Sequence, residues 1–305
     1  MSGAQSVAVV IPCHNEECAI AKVVKDFRDA LPGARIVVVD NASTDGTAEA
    51  ARKAGAEVVF ESRKGKGFAL LRGFALTRDA DSVLMVDGDD TYPAEDARKL
   101  LDRVHAGLAD MAIGTRLQTF AEHAYPPLHN IGNRLFVFLV RFLFGVQTTD
   151  LFSGYRAFSR RFLELSPLIA QGFEIETELS LQALTANFVV AEVPVHYRER
   201  ATGSASKLRT LRDGYRILLA LLAFFRDYRP LSFFGAIAVT FGASGFAAGG
   251  VVISEFLRTG QILRIPTAIL CIGLLTLSVM SGIAGVVLSS ISRRANEIKA
   301  LLARR

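Results

Sequence analysis

The sequence predicts an α/β domain with a mainly parallel sheet, followed by a helical segment that lies on and in a membrane. Three observations carry this. Residues 1–195 alternate short apolar runs with helix-period segments, the pattern of a sheet covered on both faces. Leu231–Ser254 and Thr267–Ser292 hold no charge at all, and each is long enough to cross a hydrocarbon core of about 30 Å. Basic residues crowd the outer flanks of these two runs, while Glu255–Pro266 between them holds only Arg258 and Arg264 against Glu255.

The elements follow in order. Val7–Ile11, Ile36–Val39, Val58–Phe60, Val83–Val86 and Met111–Ile113 read as strands, because β-branched and apolar residues are bounded by turn formers. Glu17–Ala30, Thr47–Ala54, Gly67–Thr77 and Pro93–His105 read as the intervening helices. Thr44, Asp45 and the pair Thr91 and Pro93 supply helix-start signals. Leu135–Phe144 is too short to span and carries Arg141, so it either lies against the membrane or packs in the core. In Lys207–Tyr228, Leu208, Leu211, Tyr215, Leu218, Leu222 and Phe225 recur at helical spacing opposite Arg209, Arg212, Asp213 and Arg216. That segment reads as an interfacial amphipathic helix, with a core-facing helix as the alternative.

The domain boundaries expected from this pass are 1–206 for the α/β domain, 207–230 for the juxtamembrane helix, 231–254 and 267–292 for the spans, 255–266 for an external loop, and 293–305 for a basic tail. The positive-inside rule puts the α/β domain and the tail in the cytoplasm of a multi-pass protein of the cell (inner) membrane. Gly242, Gly245, Gly249 and Gly250 in the first span, with Gly282 and Gly285 in the second, permit close helix packing and so a homo-oligomer.

Composition agrees. The 305 residues allow roughly two domains of about 150 residues. Half are hydrophobic and 21% are charged, with a mean hydropathy of +0.31, which excludes disordered, collagenous and coiled-coil chains. Cys13, Cys18 and Cys271 form no even framework, which suits a reducing, cytosol-facing compartment. The first ten residues lack a basic region before an apolar run, so no secretory signal is expected there. A net charge of +5 comes without zinc-finger spacing or any nucleic-acid motif, and the basic flanks suit anionic lipid headgroups, so no nucleic-acid partner is expected.

Ligands of such sheets bind beyond the carboxyl ends of the strands. The polar segments there are Pro12–Glu16, Asp40–Thr47 and Asp87–Pro93. Asp87, Asp89 and Asp90 place three carboxylates in four residues, which repel unless a cation or protons intervene. A hard divalent ion, Mg2+ or Mn2+, bridging carboxylate and a nucleotide diphosphate answers this economically. Arg63–Gly67 lacks both the Walker and the Rossmann spacing and by itself reads as an ordinary loop with exposed lysines; beside that diphosphate Lys66 reads as its counter-charge.

Together VVIPCHNE (Val9–Glu16), VVVDNASTDGT (Val37–Thr47), Asp87-Gly88-Asp89 and Ile113–Arg116 resemble family 2 glycosyltransferases of the GT-A fold. Asp150–Arg156, Phe173–Glu176 and Arg198–Lys207 narrow the resemblance to the branch of dolichyl-phosphate mannose synthase and polyprenyl-phosphate glucosyltransferases. It covers about residues 7–208 and implies a nucleotide-sugar donor and a polyprenyl-phosphate (undecaprenyl or dolichyl) acceptor. By this resemblance Pro12, His14, Glu16 and Asp40 contact base and ribose, and Lys66, Asp87 and Gly88 complete the donor site. It also implies that Asp87, Asp89 and Thr91 hold the metal. Asp89, Arg116, Arg134 and Arg156 form the implied catalytic set, and Ser153, Arg198, Arg200, Ser206 and Lys207 the acceptor-phosphate site.

A lipid phosphate is already anionic near neutral pH, so direct attack on the anomeric carbon with inversion needs orientation and charge more than a strong base. UDP-glucose or a related UDP-hexose is the favoured donor, with GDP-mannose open. Glu174 and Glu176 either order the arginines or serve as carboxylates at a helix start. A processive polysaccharide synthase is the first rival, but this chain has no tryptophan and so no Q-x-x-R-W. A non-catalytic membrane scaffold of the same fold is the second, and Asp87, Asp89, Arg116 and Arg156 argue against it.

Overall fold

In the computed structural model, which describes residues 5–116, 150–198 other than 170 and 173, and 221–302, together with 140, 142–144 and 219, the apolar runs pair into one sheet. Its order is β3-β2-β1-β4-β6-β5-β7. Strands β1 (Val7–Cys13), β2 (Arg35–Asp40), β3 (Glu57–Phe60) and β4 (Ser82–Met85) are mutually parallel neighbours. Helices α1 (Glu17–Ala30), α2 (Thr47–Lys53) and α3 (Lys66–Leu76) connect them, and α4 (Ala97–His105) leads to β5 (Met111–Arg116).

Strand periodicity splits the core into two layers. Val9, Ile11 and Cys13 of β1 face a cluster with Ile20, Val23, Val24 and Phe27 of α1 and with Leu100 and Leu101 of α4. Ala8 and Val10 face the opposite cluster with Ala69, Leu70 and Phe74 of α3. In α1 the buried residues recur at three- and four-residue spacing, the stripe a helix needs to lie on a sheet. Each such side chain contributes about 1.5–3 kcal/mol. That stripe, with its polar opposite face, is why the sequence locates α1 to the residue.

Four elements carry weaker signals. Strand β6 (Arg156–Ser159) runs antiparallel between β4 and β5, and β7 (Val190–Val195) pairs parallel with β5. Helices α5 (Arg160–Leu165) and α6 (Ile175–Thr185) lie between them. The reversal of β6 matters for function. It sets Arg156 level with Met85 of β4 and Ile113 of β5, at the same sheet edge as Asp87. The strand order changes direction between β1 and β4, so the loops after β1, β2 and β4 meet at a topological switch point.

The chain forms two compact units, Met1–Leu218 and Leu219–Arg305. In the second, residues 221–228 are helical. Helix α7 (Pro230–Thr259) starts with proline in its first turn and stops at Gly260, whose φ of 70° an L side chain resists. Helix α8 (Ile265–Leu302) returns alongside it. Both are long and apolar enough to cross a membrane. Leu257 is 78% and Phe246 74% exposed, which a core helix of a soluble protein would not leave so. Gly242 lies against Ser278, Gly245 against Leu275, Gly249 against Cys271 and Gly285 against Phe234. Ser278 donates to the Ala238 carbonyl at 2.7 Å. These four glycines pack α7 on α8 within one chain, so a second copy is not needed to explain them. A cleft of about 550 Å³ opens where α7 begins, lined by Tyr228, Arg229, Ser232, Ser289, Ser292 and Arg293.

Candidate active site

The first two strand-end loops are stitched together. His14 Nδ1 lies 2.8 Å from the Asn41 carbonyl, and the Asn15 carboxamide oxygen accepts from the Thr44 amide at 2.7 Å. The Asn15 amide donates to Ser43 Oγ at 3.0 Å and the Glu16 amide to Thr47 Oγ1 at 2.8 Å. Thr44, expected as a helix cap, is instead a lock between loops. Asp45 accepts from the Thr47 amide and hydroxyl, at 3.1 and 2.5 Å, and supports the start of α2. Pro12 pairs with Val39 and Cys13 with Asp40 across β1 and β2. Asp40 is buried and accepts from the Ser43 amide at 3.1 Å. Thus Pro12, His14, Glu16 and Asp40 occupy one frame at one sheet edge.

Asn15, Ala42 and Asp90 all have positive φ, at 54°, 53° and 61°. They sit in the loops after β1, β2 and β4, where a strained backbone is held by its neighbours. At Asp90 the turn separates the acidic run. Asp87 faces Lys66 at 2.6 Å, while Asp90 turns to Lys22 at 2.8 Å, with Arg198 at 3.9 Å. Asp89 is 4% exposed and accepts from the Thr91 hydroxyl at 2.6 Å. The mutual repulsion expected from sequence is therefore relieved partly by the protein's own lysines. Thr91, expected as a metal ligand, directs its hydroxyl at Asp89 and acts as that carboxylate's support.

Lys66 is the first residue of α3, and the loop before it is clamped. Asn41 Nδ2 donates to the Glu61 and Arg63 carbonyls at 3.2 and 2.7 Å, and its oxygen accepts from the Gly65 amide at 2.8 Å. The Gly67 amide donates to the Gln171 carbonyl at 3.1 Å. Gly65 has φ of 149°, and a Cβ there would strike that carbonyl. So held, Lys66 Nζ lies between Asp87 Oδ1 and Glu176 Oε1, at 2.6 and 2.5 Å. Burial opposes the ammonium's charge, but the two carboxylates outweigh it and hold Lys66 above its ordinary range. Sequence left Glu176 with two readings; it stands in the first turn of α6 and within electrostatic range of Arg156, but its hydrogen-bonded partner is another residue. It is Lys66, 110 residues away.

Arg116 closes β5 and makes a two-pronged pair with Asp150, both contacts at 2.7 Å. Its guanidinium also lies 5.5 Å from the Tyr197 ring centre. The resemblance sets Ser153 against the acceptor phosphate and Arg156 in the catalytic set; the structure sets both beneath the site. Ser153 is fully buried and donates to the Gly114 carbonyl at 2.5 Å. Arg156 is 0% exposed and donates to the Ser153 and Leu151 carbonyls at 2.9 and 2.7 Å and to Ser180 Oγ at 2.8 Å. It braces the 151–154 turn from below. Arg198 donates its amide to the Thr91 carbonyl at 2.8 Å, which ties the start of the acceptor segment to the acidic loop. Arg134, Arg200, Ser206 and Lys207 lie outside the described residues, as does most of Leu135–Phe144 and of the amphipathic segment up to 220.

Two glycines let the acidic loop approach its neighbours. A Cβ on Gly88 would meet Cys13 Sγ, and one on Gly154 would meet the Asp87 carboxylate. Gly154→Ala is therefore expected to push Asp87 aside with little loss of stability. Turnover should fall by roughly tenfold to a hundredfold, as misplacement near 1 Å does elsewhere. A thermal melt together with a single-turnover assay checks both halves.

Asp87 and Asp89 offer hard oxygen donors, and among the described residues no group of three or more His, Cys, Asp or Glu forms a complete cage. Mg2+ and Mn2+ bind in that way, through one or two carboxylates with substrate phosphates and water filling the shell. The residues fit such an ion.

The comparisons agree with this geometry. The glycosyl transferase family 2 model matches residues 8–165. Glycosyltransferase AglJ of Haloferax volcanii is 38% identical over 252 residues, 82% of this chain and 82% of that one. A dolichyl-phosphate hexose transferase of the same organism is 36% identical over 64% of this chain and 84% of its own. Glucosyl-3-phosphoglycerate synthase of Mycobacterium tuberculosis, crystallised with Mn2+, uridine diphosphate and glucosyl-3-phosphoglycerate, superposes with a TM-score of 0.59 at 24% identity, over 72% of this chain and 80% of that one. That likeness establishes the fold: a mainly parallel GT-A domain, here followed by two apolar helices. With half the chain matched by the family model and a relative aligned over most of both lengths, this protein belongs to glycosyltransferase family 2.

Proposed function

We propose that this enzyme moves a hexose from a nucleotide sugar to a polyprenyl phosphate at the cytoplasmic surface of the cell membrane. The observation that carries the reading is the convergence of Lys66, Asp87 and Asp89 with the stitched loops of Pro12–Glu16 and Asp40–Thr47 at one sheet edge. The relative named a dolichyl-phosphate hexose transferase supports the acceptor class. The two apolar helices and the basic residues outside them support a multi-pass anchor with domain and tail in the cytoplasm.

In this reading His14, Glu16, Asp40 and Pro12 hold base and ribose, and Lys66 faces the diphosphate. Asp87 and Asp89 hold Mg2+ or Mn2+, which when bound neutralises charge on the leaving diphosphate. Arg116 is kept rigid by Asp150 and presents its guanidinium where anionic oxygens gather. An oxygen of the carrier's phosphate attacks the anomeric carbon from the face opposite the leaving group. The bond from that carbon to the nucleoside diphosphate breaks, its electron pair leaves with the diphosphate, and the centre inverts. No proton need move, so the site needs cations and alignment in place of a strong base. UDP-glucose or a related UDP-hexose is the donor we favour over GDP-mannose.

A donor screen with undecaprenyl phosphate and Mn2+, read by mass spectrometry of the lipid, tests this. One hexosyl phospho-lipid per turnover is expected. Hexose polymer, or diphosphate release indifferent to the lipid, would overturn it. Within the same assay Lys207→Ala is expected to raise KM for the carrier by roughly tenfold to a hundredfold, the effect of one charged hydrogen bond, with donor affinity unchanged. Equal losses on both substrates would remove Lys207 from the acceptor site.

A further inference from the structure

We propose that Lys66 and the divalent cation compete for Asp87, and that Glu176 is the positioning residue that keeps the displaced ammonium beside the donor's diphosphate. This rests on the donor-site reading above and goes beyond it by assigning an exchange. Three facts lead there. Lys66 Nζ already occupies Asp87 Oδ1, at 2.6 Å. The whole Asp87 carboxylate lies against Gly154, which confines it, and Oδ1 is the oxygen that meets the lysine. A cation cannot share Oδ1 with an ammonium at such range without strong repulsion. On either oxygen of Asp87 the metal stands within a few ångströms of that ammonium, and the repulsion drives the lysine off the carboxylate.

Glu176 decides where it goes. The lysine side chain is 12% exposed and Glu176 5%, whereas Asp87 is 26% exposed, so Asp87 is the open end of the trio. Glu176 sits in the first turn of α6 with its 2.5 Å contact to Nζ inside the protein. On leaving Asp87 the ammonium stays tethered to Glu176 and does not return to water. The charges then balance in order. Asp87, Asp89, Glu176 and Lys66 together carry two negative charges, which a divalent ion cancels. The incoming diphosphate next finds the lysine released toward it. In the resting enzyme the same lysine shields Asp87 from stray cations, so metal binding is weak without donor.

The test uses the full chain in lipid nanodiscs without acceptor. Free Mn2+ is read by electron paramagnetic resonance, and UDP binding by calorimetry at saturating Mn2+. The double variant Lys66→Met, Glu176→Gln removes one charge of each sign and leaves net charge unaltered. It is expected to bind Mn2+ alone about tenfold more tightly than the parent, and UDP about tenfold more weakly. Lys66→Met alone should move both in the same directions. If burying Glu176 unpaired unfolds that variant, the double variant carries the test. Glu176→Gln alone leaves the lysine on Asp87 and should not tighten Mn2+. Unchanged or weaker Mn2+ binding in the double variant, with a parent that binds both ligands, overturns the exchange and spares the donor site. A parent that binds neither Mn2+ nor UDP overturns the donor site itself, and the exchange with it.

Discussion

Replacing Asp87 and Asp89 together by alanine is expected to lower hexose transfer to the lipid carrier by at least about a thousandfold while leaving the fold in place. The size follows from what the pair does. The leaving group is a diphosphate, and without a cation its growing charge must be borne by Lys66 and Arg116 alone. Losing one preorganised electrostatic contact costs about 2.7–4 kcal/mol of barrier, and this variant removes the whole cation mount. The fold survives because neither carboxylate holds the core. Lys66 keeps Glu176 as partner at 2.5 Å when Asp87 is gone. Asp89 gives up its bonds from the Thr91 hydroxyl and amide, worth about 1 kcal/mol each. Asp89→Asn refines the test. An amide oxygen still accepts from Thr91 but is a poor ligand, so activity should fall with stability unaltered. Parental transfer by the double alanine variant, measured with carrier and Mn2+ present, would remove the metal from the mechanism.

The same residues show how far a sequence carries such an argument. The parallel half of the sheet was legible because β1, β2 and β4 are apolar runs that end in polar loops, and α1 carries its stripe at helical spacing. Strand β6 was not, since Arg156–Ser159 is four residues with no alternation that differs from a turn. Its antiparallel sense follows from tertiary packing alone. The carboxylates of the acidic loop were legible as a group, but their division among Lys66, Thr91 and Lys22 depends on a positive φ at Asp90 and on residues up to 68 positions away in the chain. No local pattern encodes that. Asn41 was quoted only inside a motif, yet three hydrogen bonds make it the clamp of the loop that delivers Lys66. An amide at a strand end, before a glycine-rich loop, was the available signal.

Arg156→Met is expected to destabilise the α/β unit by about 3–5 kcal/mol, the scale for breaking a buried charged network. That corresponds to a fall in Tm of roughly 10 °C for a unit of this size. The prediction separates two roles that the motif alone cannot. An arginine that grips the acceptor phosphate is open to the site, and its loss raises acceptor KM with the melt unchanged. Arg156 is 0% exposed, and it donates to the Ser153 and Leu151 carbonyls, to Ser180 and to Met111 Sδ, all within the protein. Burial works against its charge, and the nearby Glu176 and Asp150 compensate in part. Its removal therefore leaves buried acceptors unpaired and strips both carboxylates of a neighbour. The turn it braces carries Ser153 and Gly154, and Gly154 sets the place of Asp87. Activity should consequently fall through kcat, with the loss tracking the misplaced carboxylate and not the carrier. Lysine at this position cannot reproduce the separate contacts of one planar fork, so Arg156→Lys should recover little. A melt within about 2 °C of the parent, paired with a selective rise in carrier KM, would put Arg156 in contact with the carrier, as its place in the catalytic set implies, and sink the bracing role.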